Sequence, residues 1–153
     1  MVARFDRGFA QAVPHNRALG MRIVELDAGG CTSELPYDPR LVGDPESGVL
    51  HGGAITALMD ATCGAAIFLA MGRPVRIATL DLRIDYLKRA APGRAVHCHA
   101  SCYKRTRSVA FTRAIAHLGD ADDPIASAVG SFMIFPGQKS ALEVFAPSAE
   151  VEP

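Results

Sequence analysis

The sequence has no tryptophan, no Cys-x-x-Cys pair and no excess of either charge; lysine plus arginine and aspartate plus glutamate number 16 each. A neutral chain supplies no general attraction to nucleic acid or to an acidic membrane surface, so any anionic ligand must be held by a local basic cluster. The stretch MVARFDRGFAQAVPH carries scattered charges and no uninterrupted apolar core, unlike a secretory signal. Three of the four cysteines (Cys31, Cys63, Cys98, Cys102) sit in apolar stretches, which suits free thiols in a reducing compartment, and the cytoplasm is the expected location. There is no Gly-x-Ser-x-Gly elbow, which argues against a serine hydrolase. Gly29-Gly30 and Gly52-Gly53 lack the spacing of a phosphate loop or a dinucleotide fingerprint.

What is present is enough apolar material, 49% of 153 residues, for one domain with a buried core. From Gly52 to Gly72 the sole charged residue is Asp60. That length approaches a membrane span, but the run is rich in Ala, Gly and Thr, and a central carboxylate costs several kcal/mol in lipid. A helix wrapped by a sheet accounts for it better, opening at His51-Gly52-Gly53, running to about Met71 and stopped by Gly72 and Pro74.

Around this helix the period changes to two. Met21–Ala28 and Cys31–Tyr37 flank Gly29-Gly30 as a hairpin. Val75–Leu87, Arg94–Lys104, Ser108–Leu118 and Ile125–Phe135 are expected to be four further strands. Residues 5–19 suggest short helices broken at Pro14, residues 38–50 a polar loop, and the stretch from Gln138 a loose tail. The order β-β-α-β-β-β-β predicts an α+β domain in which a long central helix lies across a curved antiparallel sheet. Such a sheet has edges to protect, so a homodimer is expected.

A buried carboxylate needs hydrogen bonds or a shifted pKa. Asp60 therefore either holds a neighbouring loop or does chemistry. The helix start favours chemistry. Gly48 and Gly52-Gly53 allow close backbone approach, and a helix N-terminus offers unpaired N–H groups that can hold a thioester oxygen as it becomes an oxyanion. Asp60 lies nine positions after His51, roughly 13 Å along the axis, too far for both to serve one carbon within one helix. A two-fold dimer with antiparallel helices would bring Asp60 of one chain to the helix start of the other.

The run Gly48-Val49-Leu50-His51-Gly52-Gly53 followed by Asp60 resembles the signature of the phenylacetic-acid-degradation type of hotdog thioesterase, and Asp85–Gly93 resembles that family's strand end and turn. The similarity covers about residues 18–136. The resemblance implies a hotdog fold and hydrolysis of an acyl-CoA, or an acyl-carrier-protein thioester, with coenzyme A as part of the substrate and no other cofactor. It implies that the Gly52 N–H, beside Gly53, polarises the carbonyl, that His51 braces the helix start, and that Asp60 of the partner subunit acts as nucleophile or general base. It places Thr79 where relatives orient the nucleophile or water. It also implies a homodimer with shared sites that often pairs into a homotetramer. Relatives often carry Asn or Gln about where this chain has Pro45 and Glu46, so Glu46 is the candidate replacement. A non-catalytic acyl-CoA binder and a hotdog dehydratase or hydratase are the alternatives.

Lys88, Arg89, Lys104, Arg105 and Arg107 fall in or beside turns and as a group suit the phosphates of coenzyme A. No metal site is expected. His97-Cys98-His99 with Cys102 has the right residue types, but on a strand the histidines and cysteines face opposite sides. Cys63 lies one turn from Asp60 with no histidine on its helix and is expected to be packing.

Overall fold

The computed structural model describes residues 1–73 and 75–138. Short helical segments do occupy the N-terminal stretch, and the break falls just before Pro14, which opens the last of them. α1 (Val2–Asp6) and a π-helical turn (Arg7–Gln11) precede α2 (Pro14–Ala18), where proline at the first position gives up an N–H that has no helical partner anyway. Asp6 Oδ1 accepts from the N–H of Ile23 at 2.6 Å, pinning this segment to the sheet.

β1 (Arg22–Leu26) and β2 (Cys31–Leu35) form the expected hairpin. Asp27 Oδ1 folds its turn by accepting from the N–H groups of Gly29 and Gly30 at 2.6 and 2.7 Å. A Cβ at Gly30 would lie 1.9 Å from the Ala100 carbonyl oxygen, so only glycine fits there.

Residues 38–50 depart from the polar loop expected. A 3-10 turn (Pro39–Leu41) leads into a two-stranded ribbon of β3 (Val42–Asp44) and β4 (Val49–Leu50). Its turn is closed by Asp44, which accepts from the Glu46 N–H at 3.1 Å and from the Ser47 hydroxyl. Strands this short leave no period-two signal to read.

α3 (Gly52–Met71) follows, ended by Gly72 in the left-handed region at φ 67°; Pro74 lies outside the described residues. The four long strands are β5 (Arg76–Tyr86), β6 (Val96–Arg105), β7 (Val109–His117) and β8 (Ala126–Phe135). With β1 and β2 they form one antiparallel sheet in the order β1-β2-β6-β7-β8-β5. This is the α+β hotdog arrangement expected, with the ribbon added. The sequence beyond Gln138, expected to be a loose tail, lies outside the described residues.

The helix nests closely because the sheet presents small residues to it. Ala100, Ala110, Ala114, Ala116, Ala126 and Ala128 are all buried, and Leu58, Met59 and Ile67 press down on that floor with no exposed surface. Each such large side chain stabilises the fold by roughly 1.5–3 kcal/mol. α3 has the length and apolar composition of a membrane span, but the sheet accounts for its burial. One stripe of α3 stays uncovered: Gly53, Thr56, Ala57, Asp60 and Ala61, at helical spacing, face a cleft instead of the sheet.

Candidate active site

The start of α3 is built around His51. Its backbone is extended, and its Nδ1 accepts from the Gly53 N–H at 2.9 Å, filling the N-cap role usually taken by Ser, Thr, Asp or Asn. The His51 carbonyl accepts from the Ala54 N–H at 3.0 Å, and the His51 N–H donates to the Leu41 carbonyl at 2.8 Å, tying the helix start to the 3-10 turn that leads into the ribbon. A Cβ at Gly53 would come 2.8 Å from His51 Nδ1, and one at Gly43 2.8 Å from His51 Cα. The Gly52 N–H has no acceptor among the described residues. The Gly52 carbonyl accepts from the Tyr86 hydroxyl at 2.7 Å and the Thr56 hydroxyl at 3.1 Å, and these two hydroxyls are 2.7 Å apart.

Asp60 lies about 12 Å further along the axis. It is half-buried, and its Oδ1 accepts from the Thr79 hydroxyl at 2.8 Å. Its cleft holds about 620 Å³. Ala57, Ala61 and Gly64 form the floor, while Ile77 and Leu82 of β5 and Phe9 and Val13 of the N-terminal segment form apolar walls. Phe9 and Phe68 meet edge to face, with centroids 5.6 Å apart, toward the C-terminal end of the cleft. The small residues of α3 therefore divide by role: Ala57 and Ala61 give the cleft its width, whereas Ala65 is buried in the core.

The five cations do not form one group within this chain. Lys88 and Arg89 border a second cleft of about 290 Å³, next to Gly52 and Tyr86, and Lys88 pairs with Asp123. Lys104, Arg105 and Arg107 belong to the β6–β7 hairpin at the far end of α3, where Arg105 Nη1 lies 3.2 Å from Met71 Sδ. Gly52 and Met71 are about 28 Å apart along the axis, which separates the two sets. Glu46 is exposed in the β3–β4 turn and does not border the Asp60 cleft.

Cys98 points into the core while His97 and His99 lie on the other face of β6, where His97 stacks on His117 with ring centroids 5.7 Å apart. His99 Nδ1 is 3.2 Å from the Thr32 hydroxyl oxygen. Cys63 is fully buried, and that burial pushes its thiol up to about 12, with the Asp60 carboxylate adding to the effect. Such a thiol supplies almost no thiolate at neutral pH.

Sequence patterns did not point to Tyr86, Thr56, Phe9 or Val13 as parts of the site. Tyr86 falls where a strand residue is expected, and only the crossing of β5 over the helix start brings its hydroxyl to Gly52. The N-terminal segment carries no motif.

A model of the thioesterase superfamily matches residues 47–124, a span that contains His51, Gly52, Asp60 and Thr79. The medium/long-chain acyl-CoA thioesterase YigI of Escherichia coli (strain K12) is 29% identical over 144 residues, covering 82% of this chain and 88% of that protein. A crystal structure of a Pseudomonas aeruginosa protein is similar with a TM-score of 0.77 and 45% identity, over 86% of this chain and 97% of that one. A thioesterase family protein from Silicibacter pomeroyi gives a TM-score of 0.75 at 26% identity, over 88% and 98%.

Proposed function

The chain belongs to the thioesterase superfamily and is a thioester hydrolase, and on that premise we propose that it cleaves an acyl-CoA with Asp60 as its catalytic carboxylate. The observation that carries this reading is the Thr79–Asp60 hydrogen bond at 2.8 Å inside an apolar cleft. One carboxylate oxygen is held by Thr79. The other is left to attack the carbonyl carbon, giving an anhydride that water then hydrolyses, or to take a proton from an attacking water. In either route the carbonyl oxygen gains negative charge, which the Gly52 N–H accommodates; the C–S bond then breaks and the departing thiolate is protonated, by Asp60 in the water route and by solvent in the anhydride route. His51 holds the helix start and takes no proton. No metal or redox cofactor enters these steps, and coenzyme A is present only as part of the substrate.

Twelve ångströms or so between Asp60 and Gly52 on one helix call for two protomers. The edge of β5, unpaired among the described residues, supports this. β5 is eleven residues long, ends the sheet, and exposes Leu80 to 54% and Tyr86 to 51%. An edge of that length invites a second strand, and a two-fold copy would set the two α3 helices antiparallel. Pairing of such dimers into a homotetramer is consistent with exposed Ile115 and Val129 elsewhere on the sheet. Glu46 would then approach Asp60 only across the two-fold.

Lys88 and Arg89, beside Gly52, are placed to meet the phosphates of coenzyme A. Lys104, Arg105 and Arg107 stand too far away to share that duty in the same protomer. The acyl group would lie along the α3 stripe toward Phe68, a run of about 12 Å from Asp60 that suits a medium-length or aryl group. The His-Gly-Gly spacing fits the phenylacetic-acid-degradation subtype, and the free cysteines fit a cytoplasmic setting.

The test is thiol release across aryl, short-chain and long-chain acyl-CoA substrates, with a folded Asp60→Asn dimer as control. Turnover should fall by about a thousandfold. Near-normal release by the variant would overturn the role of Asp60, and tight binding with no release by the native protein would make it an acyl-CoA binder.

A further inference from the structure

We propose that Tyr86 is a positioning residue for the oxyanion donor, aiming the Gly52 N–H by fixing the Gly52–Gly53 peptide from outside the helix. The inference rests on the assignment of the Gly52 N–H as that donor. Two successive glycines are the least restricted backbone a chain can offer, so an N–H at this point needs external restraint to hold one direction. The restraint is visible bond by bond. The peptide joining His51 to Gly52 is held through its carbonyl, which accepts from the Ala54 N–H at 3.0 Å. The next peptide is held at both ends: its N–H donates to His51 Nδ1 at 2.9 Å, and its carbonyl accepts from Tyr86 at 2.7 Å and Thr56 at 3.1 Å.

Most of these partners belong to residues 51–56 and would move with the first turn if it shifted. The His51 N–H bond to Leu41 anchors the turn from outside, but one peptide earlier. Among the described residues, Tyr86 alone reaches the Gly52–Gly53 peptide from another element. It is the last residue of β5, the strand whose Thr79 holds Asp60. One strand thus sets the direction of both the acid and the donor. Each hydroxyl has one proton, so with Tyr86 donating to Gly52 the Thr56 hydroxyl either donates to the same carbonyl or gives its proton to the tyrosine oxygen 2.7 Å away. A Cβ at position 52 would sit 3.3 Å from the Tyr86 oxygen, so a larger residue there would push the tyrosine aside by a few tenths of an ångström.

The test compares native protein, Tyr86→Phe, and Asp60→Asn as control. Phenylalanine keeps the ring and removes only the hydroxyl. Turnover should fall about tenfold, less than the hundredfold or more for deleting a donor outright, with KM within about twofold. A second readout is the carbonyl stretch of a non-hydrolysable acyl-CoA ketone labelled with ¹³C at the carbonyl. Bound to native protein the stretch should shift to lower frequency, and in Tyr86→Phe it should return toward the free value. In Asp60→Asn the shift should persist although turnover is lost. Unchanged turnover and frequency in Tyr86→Phe would overturn the proposal, as would a raised KM with kcat retained, or a lower melting temperature with kcat per folded dimer retained. If the native protein releases thiol from no acyl-CoA, the hydrolase assignment falls separately, and the carbonyl shift still decides the role of Tyr86.

Discussion

Thr79 and Asp60 are nineteen residues apart in the chain, yet the hydroxyl of one donates to the carboxylate of the other at 2.8 Å. The contact joins the edge strand β5 to the middle of α3 and leaves Asp60 with one oxygen held and one available. A half-buried acid on an otherwise uncharged helix is thereby given a fixed rotamer, with no cation paired to it among the described residues.

Removing that hydroxyl should therefore disturb chemistry more than folding. Thr79→Val keeps the β-branched shape, and kcat is expected to fall roughly 10- to 100-fold with little change in KM, the usual scale for losing an orienting partner. Thr79→Ser, which retains the hydroxyl, should stay close to native. Steady-state thiol release on both variants checks this.

Arg89 should report the nucleotide end of the substrate. Arg89→Ala is expected to raise KM for an acyl-CoA about five- to tenfold, roughly 1 kcal/mol or a little more for an exposed charge contact. It should leave KM unchanged for the matching acyl-pantetheine, which lacks the nucleotide phosphates. Equal effects on both substrates would remove Arg89 from phosphate binding.

Cys63 lies one turn from Asp60, but its thiol is pushed up to about 12 by burial. Cys63→Ala should keep at least half of native kcat while lowering stability by about 1 kcal/mol for the lost packing. Iodoacetamide should not inhibit the native protein at neutral pH, as progress curves with and without the reagent would show.

His117 makes stability depend on pH. Its pKa is lowered first by burial and then by the positive charge of nearby His97 and His99, with Asp120 acting in the opposite direction. The Gly119 N–H also donates to its Nδ1 at 3.1 Å, a bond that requires that nitrogen unprotonated. The folded state thus binds a proton less readily than the unfolded chain, whose histidine titrates near 6.5. The stability contributed by neutral His117 is present above that value and is lost as pH falls below about 6.5. Urea midpoints measured from pH 7.5 to 5 should fall with acid, and less steeply in His117→Gln. Parallel curves would refute the assignment.

Much of this site was legible before any coordinates. The sole charge in the run from Gly52 to Gly72 marked Asp60, because an isolated carboxylate among apolar residues must have a reason. The glycine pair after His51 marked the proposed donor end, because close backbone approach is what glycine allows. The group of five cations was less legible. Turn residues next to one another in sequence told nothing of which end of α3 they would occupy, and two sets emerged, one beside Gly52 and one beside Met71.

The sequence by itself determined the long elements. Period-two runs, the unbroken apolar helix and the stops at Gly72 and Ala91-Pro92-Gly93 are local matters, decided by side-chain spacing and backbone freedom within a few residues. Only the tertiary structure decided who meets whom. Tyr86 reaches Gly52, Thr79 reaches Asp60 and Phe9 walls the cleft because a floor of alanines lets α3 settle onto the sheet at one depth and crossing. That geometry follows from packing volumes summed over several strands, which no local pattern encodes.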